Sequence, residues 1–481
     1  MADNQEEEAQ LRRSPSHDSL FGDASTDIEI DPDPSPAQSP LENTPANTTS
    51  PLVGVETRLG SSGVLPSCLG SDPMTGLSWV KDGLGIYPKW TTLPHIESIV
   101  TTLRLAMGSD QDYTVRFLHE GTLSKLYAVS TGGSAFVLRV CLPVNPGLKT
   151  ETEVATLDWV SQHTSLPVPR VIAHDSSRDN PLGFEWILMS RVEGKSLSES
   201  WWSVSLGSKE RLVKQIAAFS AEIFEQSFQD GIGGIYKAGG RAVENCSRGP
   251  FSSTCDWIQS RLRFVAADLA SRLYHAVDEN ERETLQRMAD LTRRIERLMP
   301  RFYPSPQPNP GGEREGTVIN IGMTSTRTIL SHDSLSLDNI LVNDEGVFTG
   351  IVDWQCIICL PVHEACQFPA FLRQAYDKLA EPVIPSYLIG GVPHVAYFHA
   401  LKRWEITRLR RLYVEEMTRR SPGFVDIWRD ERGADLRDYE AAVQNCDNEF
   451  TIETVEEWVD AMEHGKDPIQ LPKRLHECLA G

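Results

Sequence analysis

Two short apolar runs, Ile340-Leu341-Val342 and Val347-Phe348-Thr349-Gly350-Ile351-Val352, flank Asn343-Asp344-Glu345-Gly346, a cluster of turn-forming residues. Runs of that length on either side of such a cluster fold as an antiparallel hairpin. The constraint reaches beyond the hairpin, because antiparallel pairing carries Asn339, just before the first strand, to the same end as Asp353, just after the second. An amide oxygen and a carboxylate held close together suit a hard cation, Mg2+ above all, that keeps some of its water and bridges phosphate oxygens. Asn before a strand and Asp after one are also ordinary turn and cap residues, so the segments around the pair decide between the two readings.

Upstream of the hairpin stands Ser331-His332-Asp333-Ser334-Leu335-Ser336-Leu337-Asp338-Asn339. Kinase catalytic loops run His-x-Asp-Leu-x-x-x-Asn, with the Asp receiving the proton of the substrate hydroxyl and the Asn holding magnesium. The spacing places His332, Leu335 and Asn339 on that pattern and Ser334 where the Asp belongs. With Gly350-Ile351-Val352-Asp353-Trp354, Phe136-Val137-Leu138-Arg139-Val140, Leu166-Pro167-Val168-Pro169-Arg170-Val171 and Pro181-Leu182-Gly183-Phe184-Glu185-Trp186-Ile187-Leu188-Met189, the stretch resembles the aminoglycoside phosphotransferase-like kinases, particularly their fungal group, over about residues 110 to 375. The resemblance implies an α+β, bilobal protein-kinase-like fold with a small antiparallel-sheet N-lobe and a mainly helical C-lobe. It implies ATP with Mg2+ as cofactors and a small-molecule hydroxyl as acceptor. Two residues depart from the family pattern: Ser334, and Gln355 where Glu usually follows Asp-Trp. A serine hydroxyl does not accept a proton at neutral pH as a carboxylate does, so Ser334 marks the position of a missing base, with Asp333, one residue out of register, or Asp338 as a substitute.

In the N-terminal half, Leu126-Tyr127-Ala128-Val129-Ser130 and Phe136-Val137-Leu138-Arg139-Val140 flank Thr131-Gly132-Gly133-Ser134, a hairpin signal. Period-two alternation sets Phe136, Leu138 and Val140 on one face and Val137 and Arg139 on the other. Arg139 thereby takes the place of the strand lysine that grips nucleotide phosphates in kinases. Glu120-Gly121-Thr122-Leu123-Ser124-Lys125, with Gly121 at its bend, is a candidate phosphate-covering loop. A helix is expected from Thr150 as N-cap with Glu153 completing a capping box. Glu153 has a second reading, as the carboxylate that orients Arg139, with Glu151 as its competitor. Trp186-Ile187-Leu188-Met189 reads as a buried strand running into Ser190-Arg191-Val192-Glu193-Gly194. The resemblance makes this the hinge between lobes, with backbone groups from Ser190 to Val192 facing adenine.

The domain plan follows: an acidic, Ser/Pro-rich disordered tail over 1–85, an N-lobe over 90–192, and a helical C-lobe over 193–481 that holds the hairpin 331–354 and a loose Pro/Gly-rich insertion at 300–316. Five Ser-Pro or Thr-Pro pairs in the tail fit proline-directed phosphorylation or simple solvation. The net charge of −21 divides into −9 over 1–50, −10 over 421–470, +1 over 471–481 and −3 between. A nearly neutral body argues against nucleic acid as partner. The acidic run Asp426–Asp467 is either a solvated face or, as in related antibiotic kinases, a surface for a cationic substrate. No apolar run is long enough to span a bilayer and no signal sequence opens the chain, so the expected location is cytoplasmic; the sequence sets no oligomeric state. Cys356, Cys359, His363 and Cys366 have zinc-like spacing, but their apolar setting favours buried thiols. The functional reading is an ATP/Mg-dependent phosphotransferase-like protein, with a nucleotide-binding pseudokinase of scaffold or regulatory role as alternative.

Overall fold

The structure is a computed structural model, describing residues 76–82, 85–108, 111–229, 231–236, 250–304, 327–374, 376–385, 388, 393–466 and 470–479. The tail up to residue 75 and the part of the expected insertion from 305 onward lie outside these residues.

The N-lobe is a five-stranded antiparallel sheet in the order β3-β4-β5-β7-β6, built from β3 (Thr114–Glu120), β4 (Ser124–Thr131), β5 (Ser134–Cys141), β6 (Val171–Asp175) and β7 (Glu185–Ser190). Gly132 and Gly133, both at positive φ, close the β4–β5 turn, as a two-residue hairpin loop requires. Alternation sorts the faces as expected. Leu138, Val140, Trp186 and Leu188 pack with Ile99 and Leu103 of α1 (Ile96–Met107), while Ile187 and Met189 turn to the other side against Val154 and Leu157 of α2 (Leu148–His163).

The lobe starts earlier than the sequence suggests. Residues expected to continue the tail form a hairpin, β1 (Leu77–Asp82) on β2 (Gly85–Trp90), fastened to the lobe by Trp90 against Phe184 at 5.3 Å between ring centroids. Leu77–Asp82, placed in the tail by the expected boundary at 85, is thus a strand of this hairpin. An aromatic anchor outweighs the polar composition around it.

The C-lobe has two cores. The first joins α2 and β7 to α3 (Leu197–Ser200), α4 (Leu206–Glu225), the strands β10 (Arg327–Ser331), β11 (Ile340–Val342), β12 (Phe348–Ile351) and β13 (Ile358–Pro361), and α8 (Val395–Arg420). Short strands β8 (Lys195–Ser196) and β9 (Phe228–Gln229) edge these sheets, and α7 (Val362–Ala365) follows β13. The second core is all helical: α5 (Thr254–His275), α6 (Glu279–Phe302), α10 (Glu431–Asn445), α11 (Ile452–Glu463) and α12 (Leu471–Leu479), while α9 (Pro422–Arg429) buries Phe424 and Val425 in the first core. Pro300, expected to open the loose insertion, instead lies in the last turn of α6. Proline breaks a helix by losing an N–H bond and crowding the preceding turn. Here Met299 and Phe302 on either side of it are buried, Phe302 stacking on Tyr439 at 4.5 Å, and that packing holds the turn.

The acidic run lies on this second core. Arg261 meets Asp447 at 2.9 Å, Arg287 Nε donates to Glu456 at 2.8 Å, and Arg294 reaches Glu463 at 2.6 Å and also Asp460. Four of its carboxylates, Asp447, Glu456, Asp460 and Glu463, thus pair with arginines of α5 and α6. No helix among the described residues is long and apolar enough to cross a membrane.

Candidate active site

The hairpin forms as its apolar runs require: β11 pairs antiparallel with β12, Ile340 opposite Ile351, with a bulge between Leu341 and Val342. Val352 N–H donates to the Asn339 carbonyl at 2.9 Å, so Asn339 and Asp353 stand at one end. The Asn339 side-chain amide donates to the Ser334 carbonyl at 2.8 Å. That bond fixes the amide's orientation and leaves its oxygen as the outward acceptor. Asp353 and Cys356 both adopt positive φ, 61° and 60°, a conformation that Asp tolerates better than most residues. The turn they make aims the Asp353 carboxylate at the N-lobe.

What it meets there is Arg139. The guanidinium donates through both terminal nitrogens to Asp353 Oδ1, at 3.1 and 3.2 Å, and through Nη1 to Gln355 Oε1 at 3.1 Å. Nη1 also lies 3.2 Å from Glu153 Oε1 on α2, an ionic contact rather than an aligned hydrogen bond, since neither Glu153 oxygen has a hydrogen-bond partner. The Arg139 and Glu153 side chains are 6% and 1% exposed, against 47% for Asp353. Burial opposes the charge on Arg139, but Glu153 and Asp353 more than offset it and raise its pKa; burial pushes the Glu153 carboxyl up against the pull of Arg139. Arg139 stays cationic in this setting.

The capping box is corrected. The residue preceding α2 is Gly147, whose N–H donates to Glu185 Oε1 at 2.8 Å, while the Thr150 hydroxyl, inside the helix, donates to Glu185 Oε2 at 2.6 Å. Glu185 caps the helix from a neighbouring strand, which frees Glu153 for Arg139. Glu151 takes a different partner, Ser176 Oγ at 2.9 Å. Glu185 is a residue that sequence reasoning passed over; the signal was a carboxylate inside the apolar strand Phe184–Met189, which burial obliges to find donors. Lys149 was missed too. Its ammonium is buried and donates to the Leu142 carbonyl at 2.8 Å and the Leu123 carbonyl at 3.4 Å, bracing the turn that holds Gly121. Within that turn Gly121 N–H donates to the Ser124 carbonyl at 2.8 Å.

At the hinge, Ser190 N–H donates to the Arg170 carbonyl, and Ser190 Oγ accepts from Arg170 N–H, both at 2.8 Å. Val192 N–H has no backbone partner among the described residues. Two glycines press the hinge onto the hairpin. A Cβ on Gly194 would fall 2.5 Å from the Val342 carbonyl oxygen, and one on Gly350 would fall 2.8 Å from that of Pro167.

The loop from His332 to Asp338 is looser. Leu335 is buried, Asp333, Ser334 and Asp338 are exposed, and Ser334 Oγ lies 3.5 Å from His332 Nδ1, too far for a strong hydrogen bond. His332 packs edge-on against Trp354 at 4.8 Å. Burial pulls its pKa down to about 4 despite Asp353 and Asp333, so the ring is neutral near pH 7. Among the described residues no group of three or more His, Cys, Asp or Glu side chains is placed to hold a metal, so the cysteine–histidine spacing at 356–366 does not close into a site. Cys359 and Cys366 are buried thiols pushed up to about 12 by burial.

The chain is similar to several known proteins. The chain is 29% identical over 328 residues to a subtelomeric hrmA-associated cluster protein of Aspergillus fumigatus, covering 57% of this chain and 64% of that one. It is 30% identical over 149 residues to "Altered inheritance of mitochondria protein 9, mitochondrial" of Candida glabrata, covering 26% of this chain and 23% of the relative. The chain thus spans less than two thirds of the length of these curated relatives. Among solved structures, aminoglycoside phosphotransferase APH(4)-Ia aligns over 79% of this chain and 99% of its own, at 14% identity and a TM-score of 0.40. A type VIII aminoglycoside-3'-phosphotransferase aligns over 73% and 100%, at 15% identity and a TM-score of 0.38. A sequence model of the phosphotransferase enzyme family matches residues 114–363. That match takes in more than half the chain, from β3 through Arg139, Glu153, Ser334, Asn339 and Asp353 to α7, and the chain belongs to the phosphotransferase enzyme family.

Proposed function

We propose that the protein binds Mg-ATP between its lobes and transfers the terminal phosphoryl group to the hydroxyl of a small molecule. The observation that carries the reading is the convergence of Arg139, Glu153 and Asp353, from three elements in two lobes, beside Asn339. The donor set fits magnesium: Asn339 has its amide nitrogen committed and its oxygen outward, and Asp353 keeps Oδ2 clear of Arg139. These two residues would hold the ion, which would supply positive charge against the phosphate oxygens. Arg139, held by Glu153 and Gln355, grips phosphate; the Gly121 turn braced by Lys149 covers it; the free Val192 N–H faces adenine. APH(4)-Ia, to which this chain is similar, is known in complexes with AMP-PNP or ADP together with hygromycin B.

Position 334 separates two readings. Phosphoryl transfer has a loose transition state that depends mainly on positioning and charge, so absence of a carboxylate slows it without abolishing it. A pseudokinase that binds nucleotide and signals by its conformation is favoured by Ser334 and by the 3.5 Å gap to His332, which offers no relay in its place. ATP binding with and without magnesium, and turnover against a library of hydroxyl compounds, measured for the natural protein and for Ser334→Asp, tell them apart. Turnover by the natural protein supports the enzyme. Metal-dependent binding with turnover only in Ser334→Asp establishes the pseudokinase, and no nucleotide binding in either overturns both.

A further inference from the structure

The two cores of the C-lobe meet across a buried knot of ionisable side chains that phosphoryl transfer does not use. His363 of α7 and Glu440 of α10 have side chains 4% and 2% exposed, and Nε2 of the ring lies 2.7 Å from Glu440 Oε1. The Tyr303 hydroxyl, just past α6, donates to the same oxygen at 2.5 Å. Glu364, beside His363, brings a second carboxyl into hydrogen-bonding contact with Glu440, while its Oε1 accepts from Gln367 Nε2 at 3.2 Å. Oε2 of Glu364 and Oε2 of Glu440 are both buried and have no donor among the described residues. The nearby cations make no salt bridge to the pair among those residues. Arg437 of α10 donates to the carbonyls of His363 and Trp428, at 2.8 and 2.9 Å, and Arg373 donates to that of Phe368 at 2.9 Å. Both act on Glu364 from a distance; Asp438 and Cys366 act in turn on Arg437, and Asp333 on Arg373.

Two touching carboxylates away from water do not both stay ionised, and two buried oxygens without a donor are costly. We propose that Glu364 and Glu440 share one proton, Glu364 Oε2–H donating to Glu440 Oε2, and that this bond is a pH-sensitive clasp between α7 and α10 that steadies the loop from His332 to Asp338. The route to the loop is short. Beyond α7 the chain forms a 3-10 turn, Ala370–Leu372, in which Phe371 N–H donates to the Leu335 carbonyl at 2.9 Å. Ala365 and Gln367 on the way also wall a cavity of about 60 Å³ shared with His332, Leu335 and Trp354. Burial and the neighbouring Glu440 push the Glu364 carboxyl well above its ordinary range, against the pull of Arg437 and Arg373. On Glu440 burial acts the same way, but His363, together with hydrogen bonds from His363, Glu364 and Tyr303, outweighs it and holds that carboxyl low. Glu364 therefore contributes a stability that is present below the ordinary carboxyl value of 4.5 and is lost as pH rises through its folded value. The share from Glu440 is present above 4.5 and is lost as pH falls through its lower folded value.

The test compares the full natural chain with Glu364→Gln, whose amide still donates to Glu440 but does not titrate. Melting temperatures are measured from about pH 5 to about pH 9, and hydrogen exchange of the Phe371 amide is followed at each pH. The melting temperature of the natural protein is expected to fall more steeply as pH rises than that of the variant. At the alkaline end the Phe371 amide should exchange roughly threefold or more faster in the natural protein than in Glu364→Gln at the same pH. His363 and Tyr303 are present in both chains, so their titrations cancel in the comparison. If Glu364→Gln does not fold, Glu440→Gln serves in its place and should also flatten the alkaline limb, because Glu364 then has no anionic neighbour. Equal slopes in natural protein and variant would overturn the shared proton, and equal Phe371 exchange would overturn its reach to the loop. Neither readout needs nucleotide or metal, so the outcome is independent of the phosphotransferase reading.

Discussion

The two sides of the cleft at Asp353 are built to different standards. On the side of the nucleotide, one buried guanidinium is held by three side chains, Asp353 and Gln355 from the turn after β12 and Glu153 from α2, with every contact between 3.1 and 3.2 Å. On the side of the acceptor, Ser334 is exposed and 3.5 Å from His332, and Asp333 and Asp338 of the same loop are exposed as well. Positioning of phosphate needs preorganised charge, and charge in a dry setting needs every partner in place. Proton acceptance needs one group of suitable basicity within reach of the hydroxyl, and that group can come from elsewhere. The chain keeps the part that only the protein can supply.

The largest expected effect breaks the first side. Arg139→Met leaves Glu153 buried without its cation, which should cost about 3–5 kcal/mol of stability and abolish measurable ATP binding. The double variant Arg139→Met with Glu153→Leu should regain most of the stability in denaturant melts but none of the binding; recovery of binding would show that Arg139 does not grip phosphate. The second side is sharpened by Ser334→Asp, which should raise turnover of neutral hydroxyl acceptors by roughly 100-fold or more, measured as ADP release, while leaving ATP affinity within about twofold.

A smaller effect comes from His332. Its pKa of about 4 in the folded state lies below the ordinary histidine value of 6.5, so the unfolded chain binds the extra proton first. The stabilisation is fully present above about pH 6.5 and is lost as pH falls toward 4, an amount on the order of 3 kcal/mol. Melting temperatures across that window should fall less steeply for His332→Gln than for the natural protein; equal slopes would mean the ring is not buried neutral. Smallest of all, Ser334→Ala should change ATP affinity by less than about 0.5 kcal/mol, since Ser334 meets Asn339 only through its backbone carbonyl.

Much of this site was legible because short-range rules determine it. The hairpin, its turn, and the meeting of Asn339 with Asp353 follow from period-two runs and a turn cluster, and alternation along β5 put Arg139 on the face that meets α2. The pairing of Arg139 with Glu153 was foreseeable from spacing, but the reason Glu153 is free for it was not: Glu185, 35 residues beyond Thr150, caps the helix instead. A long-range hydrogen bond overrode a local capping signal, and sequence carries no register for such a contact. The same holds for the acidic run, whose partners on α5 and α6 lie more than 160 residues upstream, and for the β1–β2 hairpin, held by one aromatic contact with Phe184.

The most direct test is a calorimetric titration of the natural protein with ATP in magnesium and again in excess EDTA. Binding that weakens at least roughly tenfold without the metal is the expected result and assigns Asn339 and Asp353 their role. Absence of binding in magnesium, or an affinity indifferent to it, would contradict the assignment.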